Sequence, residues 1–141
     1  MPEPLPSAGY LIDANVFIDI ITRDPKWYEW SADAMRSSAR SSAVFINPLI
    51  YAEVSTQFSD IGELDRVLSN SVVKRTSLPY SAAFLAAKAF LAYRRRGGER
   101  RSPMPDFYIG AHAVVQNLTL VTRDVQRYRR YFPTLRLVSP E

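Results

Sequence analysis

Five short apolar runs are spread along the chain and alternate with segments of helical spacing: GYLID at 9–13, AVFIN at 43–47, SVVKRTSL at 71–78, LTLVT at 118–122 and LRLVS at 135–139. A continuous apolar run such as AVFIN suits a strand buried on both faces, as in a parallel sheet. Ala14 to Thr22 has helical spacing, and Asp24-Pro25 opens a second helix through about Ser38. Pro48 starts a helix that holds Leu49, Ala52, Glu53 and Phe58, and Asp60 caps another to about Asn70. Tyr80 to Arg96 reads as a long helix, apolar nearly all round and stopped by Gly97-Gly98. Asp106 to Gln116 reads as a further helix, and the Arg- and Tyr-rich stretch after LTLVT as a short turn. Strands alternating with helices predict an α/β fold, a parallel sheet covered on both faces. There is no repeat and no second domain: residues 1–141 form one unit, with 1–8 a flexible N-terminal segment.

In such a sheet, sites form at the carboxyl ends of the strands, near the point where strand order reverses. Four acids fall at that edge. Asp13 ends the first strand, Glu53 lies on the helix after the second, Asp106 opens the helix after a basic loop, and Asp124 follows the fourth strand. Singly, each has an ordinary explanation: a cap, a turn, a solvent-facing helix residue. Together they form a set, because converging carboxylates repel each other unless a cation is present. Oxygen ligands without His or Cys select a hard cation, Mg²⁺ or Mn²⁺. Asn15 and Thr122 put neutral polar groups beside two of the acids, either orienting a carboxylate or the attacking water or serving as ordinary caps. No serine has a general base beside it in sequence.

The charge distribution bears on the partner. Residues 1–93 carry eight Lys and Arg against ten Asp and Glu, whereas residues 94–141 carry ten Arg against four acids. Fifteen of the eighteen basic residues are Arg, whose planar fork matches phosphate oxygens. The loop RRRGGERRSPMP leads straight into Asp106, which makes Arg96, Arg100 and Arg101, with Arg123 beside Asp124, candidates for RNA phosphate contact. A solvated basic loop is the alternative. Tyr128, Tyr131 and Phe132 are spaced to stack bases or, more commonly, to pack on the sheet. His112, the sole histidine, sits in an apolar helix and reads as a satisfied core-edge residue rather than a ligand or base. No cysteine is present, which excludes disulfides and thiolate metal sites. The longest apolar stretch, AAFLAAKAFLAY, is too short to span a bilayer, so no membrane is expected and a cytoplasmic setting is.

These elements together resemble a PIN-domain nuclease, and within that family the VapC-type toxins of bacterial toxin–antitoxin pairs. The residues that carry the resemblance are LIDANVFID, PLIYAEV, PDFYIGAHA, LTLVTRD and the closing YFPTLRLVSP, spanning about Tyr10 to Pro140. The resemblance implies a three-layer sandwich around a five-stranded parallel sheet in the order 3-2-1-4-5. It also implies a metal-dependent endoribonuclease inhibited by a cognate antitoxin, and a homodimer. Asp13 and Asp106 would be the principal Mg²⁺ or Mn²⁺ ligands, with Glu53 and Asp124 completing the acidic pocket directly or through water. The chain lacks a further acid that relatives often carry near Arg127, which leaves one ion or two open. The expected chemistry is in-line attack of water on an RNA phosphodiester, with charge offset by the bound cation. Phosphatases of the haloacid dehalogenase type need D-x-D where this chain has D-A-N. The rival of another class is a PIN-like module that binds RNA or protein without cutting.

Overall fold

The computed structural model of the chain describes residues 6–97 and 104–140, with the backbone alone for Arg127. Its elements are β1 (Tyr10–Ile12), α1 (Ala14–Thr22), α2 (Tyr28–Ser41), β2 (Val44–Ile46), α3 (Pro48–Ser55) and α4 (Ile61–Ser69). They continue with β3 (Val73–Arg75), α5 (Tyr80–Arg95), α6 (Met104–Val115), β4 (Thr119–Val121), α7 (Val125–Tyr131) and β5 (Leu137–Val138). All four strand pairings are parallel, and the order is β3-β2-β1-β4-β5, as the resemblance implies. From β1 the chain steps outward to β2 and β3, then crosses back to β4 and β5. Right-handed crossovers therefore put α1 to α4 on one face and α5 to α7 on the other. The reversal lies between β1 and β4, and at such a point parallel sheets place their ligand sites, outside the carboxyl ends of the strands.

The strands are shorter than the apolar runs, yet every one is flanked by core residues. Leu11, Ile12, Val44, Ile46, Leu120 and Val121 are all essentially inaccessible to solvent. Parallel pairing continues one residue past β1 and β4: the Asp13 N–H donates to the Val121 carbonyl at 2.9 Å, and the Thr122 N–H to the Val138 carbonyl at 3.0 Å. Of the N-terminal segment expected to be flexible, residues 6–8 are hydrogen-bonded to the loop ahead of β4. The Ala8 N–H donates to the Asn117 carbonyl at 2.8 Å, and the Asn117 amide to the Pro6 carbonyl at 2.6 Å.

Asp24 does act as a cap, its carboxylate accepting from the N–H groups of Lys26 and Trp27, but α2 proper begins only at Tyr28. The Arg- and Tyr-rich stretch after β4 is a helix, α7, rather than the expected turn. Its apolar positions Val125, Tyr128 and Phe132 recur at helical spacing and are buried, a pattern masked in sequence by the arginines and the tyrosine between them. Helix α5 presents Ala82, Ala86 and Ala89 inward against α6 and leaves Tyr80 and Phe84 exposed. None of the described helices is long and apolar enough to cross a membrane.

Close approach of α6 and α7 requires Gly110. A Cβ there would lie 2.5 Å from a ring carbon of Phe132 and 3.1 Å from one of Tyr128. Gly110→Ala is expected to destabilise the fold by about 2 kcal/mol, a typical overpacking cost, measured by urea denaturation. A variant as stable as the parent would show that the two rings yield freely.

Candidate active site

The sheet edge builds the site around one carboxylate. Asp13 ends β1, is buried, and caps α1 by accepting from the Ala14 N–H at 2.8 Å. Its other oxygen accepts from the Thr122 hydroxyl at 2.8 Å and the Tyr128 hydroxyl at 3.0 Å. Three elements thus donate to one anion: the α1 N-terminus, the end of β4 and α7. Burial pushes the Asp13 carboxyl above its ordinary value, the three donors oppose that rise, and the negative charge of Asp106 reinforces it. That last effect places Asp106, in the first turn of α6, within electrostatic reach of Asp13.

Thr122 is held as firmly as the group it serves. While donating to Asp13, it accepts from the Asn15 amide at 3.3 Å and the Asp124 N–H at 3.0 Å, which saturates its hydroxyl. Asn15 in turn accepts from the Arg123 N–H at 3.3 Å. The neutral pair singled out in the sequence therefore orients Asp13 and joins the β4–α7 turn to the start of α1. Asp124 is the half-buried N-cap residue of α7, and Glu53 is half-buried near the end of α3. Among the described residues, no three His, Asp or Glu side chains gather into a group that could hold a metal ion.

The basic candidates fare differently from one another. Arg96 is exposed at the end of α5, whereas Arg100 and Arg101 lie outside the described residues. Arg123 is turned inward. Its Nε donates to Asp19 Oδ2 at 2.6 Å and a terminal nitrogen to Oδ1 at 3.0 Å, and its guanidinium lies 5.1 Å from the Trp27 ring centroid. Asp19 is buried and also accepts from Ser31 on α2 at 2.8 Å. This arginine is thus engaged in a bidentate pair that ties the β4–α7 turn to α1 and α2, and its fork is not presented outward to RNA.

Sequence reasoning passed over Asp19, and it missed the hydrogen bond that Tyr128 gives Asp13. Asp19 carried a signal, a charge flanked by Ile18 and Ile20 that needs a partner once buried. Tyr128 carried none, since its role depends on α7 folding back under β1. The aromatic candidates for base stacking are packed instead: Tyr128 and Phe132 are buried, and Tyr131 joins Tyr93 and Phe107 in a ring cluster with centroids 5.3–5.6 Å apart. His112 is buried and satisfied. Its Nδ1 faces the Asn47 amide nitrogen at 3.0 Å and its Nε2 the Gln116 side-chain oxygen at 2.8 Å, a pattern that requires the neutral Nε2–H tautomer. Desolvation lowers its pKa, with the Gln116 bond opposing. It bolts α6 to the turn between β2 and α3.

These charges set two stability expectations. A carboxyl whose folded pKa is raised stabilises the fold below its unfolded value of 3.8 and loses that contribution as pH rises through the folded value. Wherever Asp13 is ionised, its burial is therefore a cost. In EDTA, Asp13→Asn should raise the melting temperature by several degrees, at about 3 °C per kcal/mol, and the gain should shrink as pH falls towards 4. A lower melting temperature at every pH would mean that the lost hydrogen bonds outweigh the relieved charge. Arg123→Met should cost about 3 kcal/mol by stranding the buried Asp19, read by chemical denaturation. A cost under about 1 kcal/mol, the level of an exposed pair, would show that the pair holds nothing together.

The comparisons with known proteins agree with this architecture. No curated protein sequence matches the chain. Among solved structures it resembles VapBC2 from Rickettsia felis bound to a fragment of promoter DNA, at 20% identity and a TM-score of 0.72 over 94% of this chain and 98% of that one. It also resembles FitAcB from Neisseria gonorrhoeae, at 20% identity and a TM-score of 0.70 over 93% and 97%. A toxin–antitoxin complex from Klebsiella pneumoniae aligns at 19% identity and 0.69 over 94% and 98%. At such identities the likeness speaks for the fold. The PIN domain family model matches residues 10–132, which takes in β1 through α7 and every element described at the site. The chain belongs to the PIN-domain family.

Proposed function

We propose that the protein is a metal-dependent endoribonuclease of the VapC toxin type, acting in the cytoplasm and held inactive by a cognate antitoxin. The observation that carries the reading is Asp13, a buried carboxylate at the strand-order reversal, kept in place by three donors and within the field of Asp106. A fold does not retain such a charge for stability, since burial of an anion is costly. The structural relatives, among them a toxin–antitoxin complex, support the antitoxin partner, and the homodimer is part of the same proposal.

The donor set fits a hard divalent cation. Mg²⁺ is commonly held by one or two carboxylates and otherwise by water and phosphate oxygens, not by an all-protein cage. Asp13 and Asp106 supply that pair, so the lack of a three-acid group among the described residues does not conflict with Mg²⁺ or Mn²⁺. When bound, the cation would lower the pKa of water and offset charge on the phosphate. The chain's own part is positioning. Ala14, Thr122 and Tyr128 fix the Asp13 oxygens, and Asn15 fixes Thr122. Glu53 and Asp124 complete the acidic pocket through water, orienting the attacking molecule and receiving its proton. Arg96, Arg100 and Arg101 contact phosphates flanking the cleaved bond.

The test is cleavage of a mixed total-RNA substrate with Mg²⁺ or Mn²⁺, compared with EDTA and with Asp13→Asn. Metal-dependent cutting should fall at least about a hundredfold in the variant, the scale of losing a preorganised electrostatic group. Failure of a folded, metal-binding chain to cut any RNA would favour the non-cleaving RNA- or protein-binding module.

A further inference from the structure

A concavity lies on the same edge of the sheet as Asp13. It measures about 220 Å³ and is lined by Ile46, Asn47, Pro48, Tyr51, Arg75 and Thr76. Strand register fixes where it sits relative to Asp13. Leu11 is level with Phe45, and Ile46 with Arg75, so Ile12, Ile46 and Arg75 form one row across the sheet. Adjacent strands are about 4.8 Å apart. The next residues along, Asp13 and Thr76, are therefore roughly two strand spacings, or about 10 Å, from each other.

The chemistry of the pocket is that of a planar, anion-linked ligand. Its walls are apolar, formed by Ile46, Pro48 and the Tyr51 ring. Arg75 covers one side, its guanidinium 4.9 Å from the Tyr51 ring centre. Asp65 holds both groups, accepting from the Tyr51 hydroxyl at 2.9 Å and from a terminal nitrogen of Arg75. The guanidinium is thereby fixed in orientation before any ligand arrives, while its side chain remains more than half exposed. Asn47 adds no polar contact, because its amide serves His112 and the Ile50 N–H. The pocket offers a flat cationic surface over an apolar slot, with the Thr76 hydroxyl position at the rim. Guanidinium planes and aromatic rings stack unpaired bases, and the same arginine attracts the phosphate attached to them.

We propose that this pocket binds a nucleobase of single-stranded RNA flanking the scissile phosphate, and so contributes to the choice of cleavage site. The assignment rests on the ribonuclease reading for its substrate class, and it extends that reading by naming a base subsite on β2, α3 and β3. An RNA strand laid across the carboxyl edge would reach the pocket and Asp13 together. A leucine or valine of a protein partner would fill the apolar slot but gain nothing from the exposed part of the guanidinium.

The experiment is a titration of the ¹⁵N-labelled chain in EDTA with AMP, GMP, CMP and UMP in separate arms, with ribose 5-phosphate and inorganic phosphate as further arms. EDTA removes any metal-borne phosphate binding at Asp13, so the outcome is independent of cleavage. Saturable shifts of the Thr76 and Arg75 amides are expected, with affinity differing among the four nucleotides and lowered about tenfold in Arg75→Ala, the scale of one lost stacking contact. Arg75→Lys, which keeps the charge but not the plane, should behave like Arg75→Ala. Arg36→Ala, at an exposed position on α2, should bind as the parent does. Equal shifts with phosphate alone, or none with any nucleotide, would overturn the base subsite. Base-dependent binding by a chain that cuts no RNA would sink the nuclease reading and leave the subsite standing. Cleavage without base-dependent binding would do the reverse.

Discussion

A carboxylate taken out of water must be solvated by the protein, and the arrangement of this fold around Asp13 meets that requirement. The N-terminal N–H of α1, the hydroxyl at the end of β4 and the phenol of α7 replace the hydration shell. Each donor comes from a different element, so the position of each element is constrained by the same anion. Gly110 belongs to this set although it touches no charge. Its missing side chain lets Phe132 and Tyr128 lie against α6, and Tyr128 in turn reaches Asp13.

Around that centre, two further buried polar links join parts of the molecule that hydrophobic packing alone would hold only loosely. Asp19 takes two bonds from Arg123 and one from Ser31, tying the β4–α7 turn to α1 and α2. His112 connects Asn47 at the end of β2 with Gln116 just past α6. The Asp19–Arg123 link joins the segments that follow β1 and β4, the strands between which the order reverses. Apolar contacts are non-directional, whereas these bonds fix angle as well as distance. The consequence is a buried acid whose partners are fixed in both, the kind of perturbed group that clusters at functional sites.

Much of this was legible in the chain before folding. The alternation of apolar runs and helical segments was sufficient for the α/β class, because strands that alternate with helices pair in parallel and are covered on both faces. Asp13, Asn15 and Thr122 were locatable together because strand ends in a parallel sheet share an edge. The legible signals failed where a residue's role depends on contacts distant in sequence. Arg123 stood in a basic segment beside a candidate acid and suggested RNA, yet its partner is Asp19, 104 positions earlier. The arginines of α7 hid a helix whose apolar positions needed a neighbour to show their purpose.

By itself, then, the sequence determined every element but α7, their class and the acids that could meet, because periodicity and strand-end position are local properties. Only the tertiary structure decided which groups hold which. It assigned Tyr128 and Thr122 to Asp13, turned Arg123 inward, neutralised His112 by burial, and opened a cavity between β2 and β3. Those outcomes depend on register and on the direction of crossovers, which bring residues more than a hundred positions apart within hydrogen-bonding distance. No window of sequence contains that information.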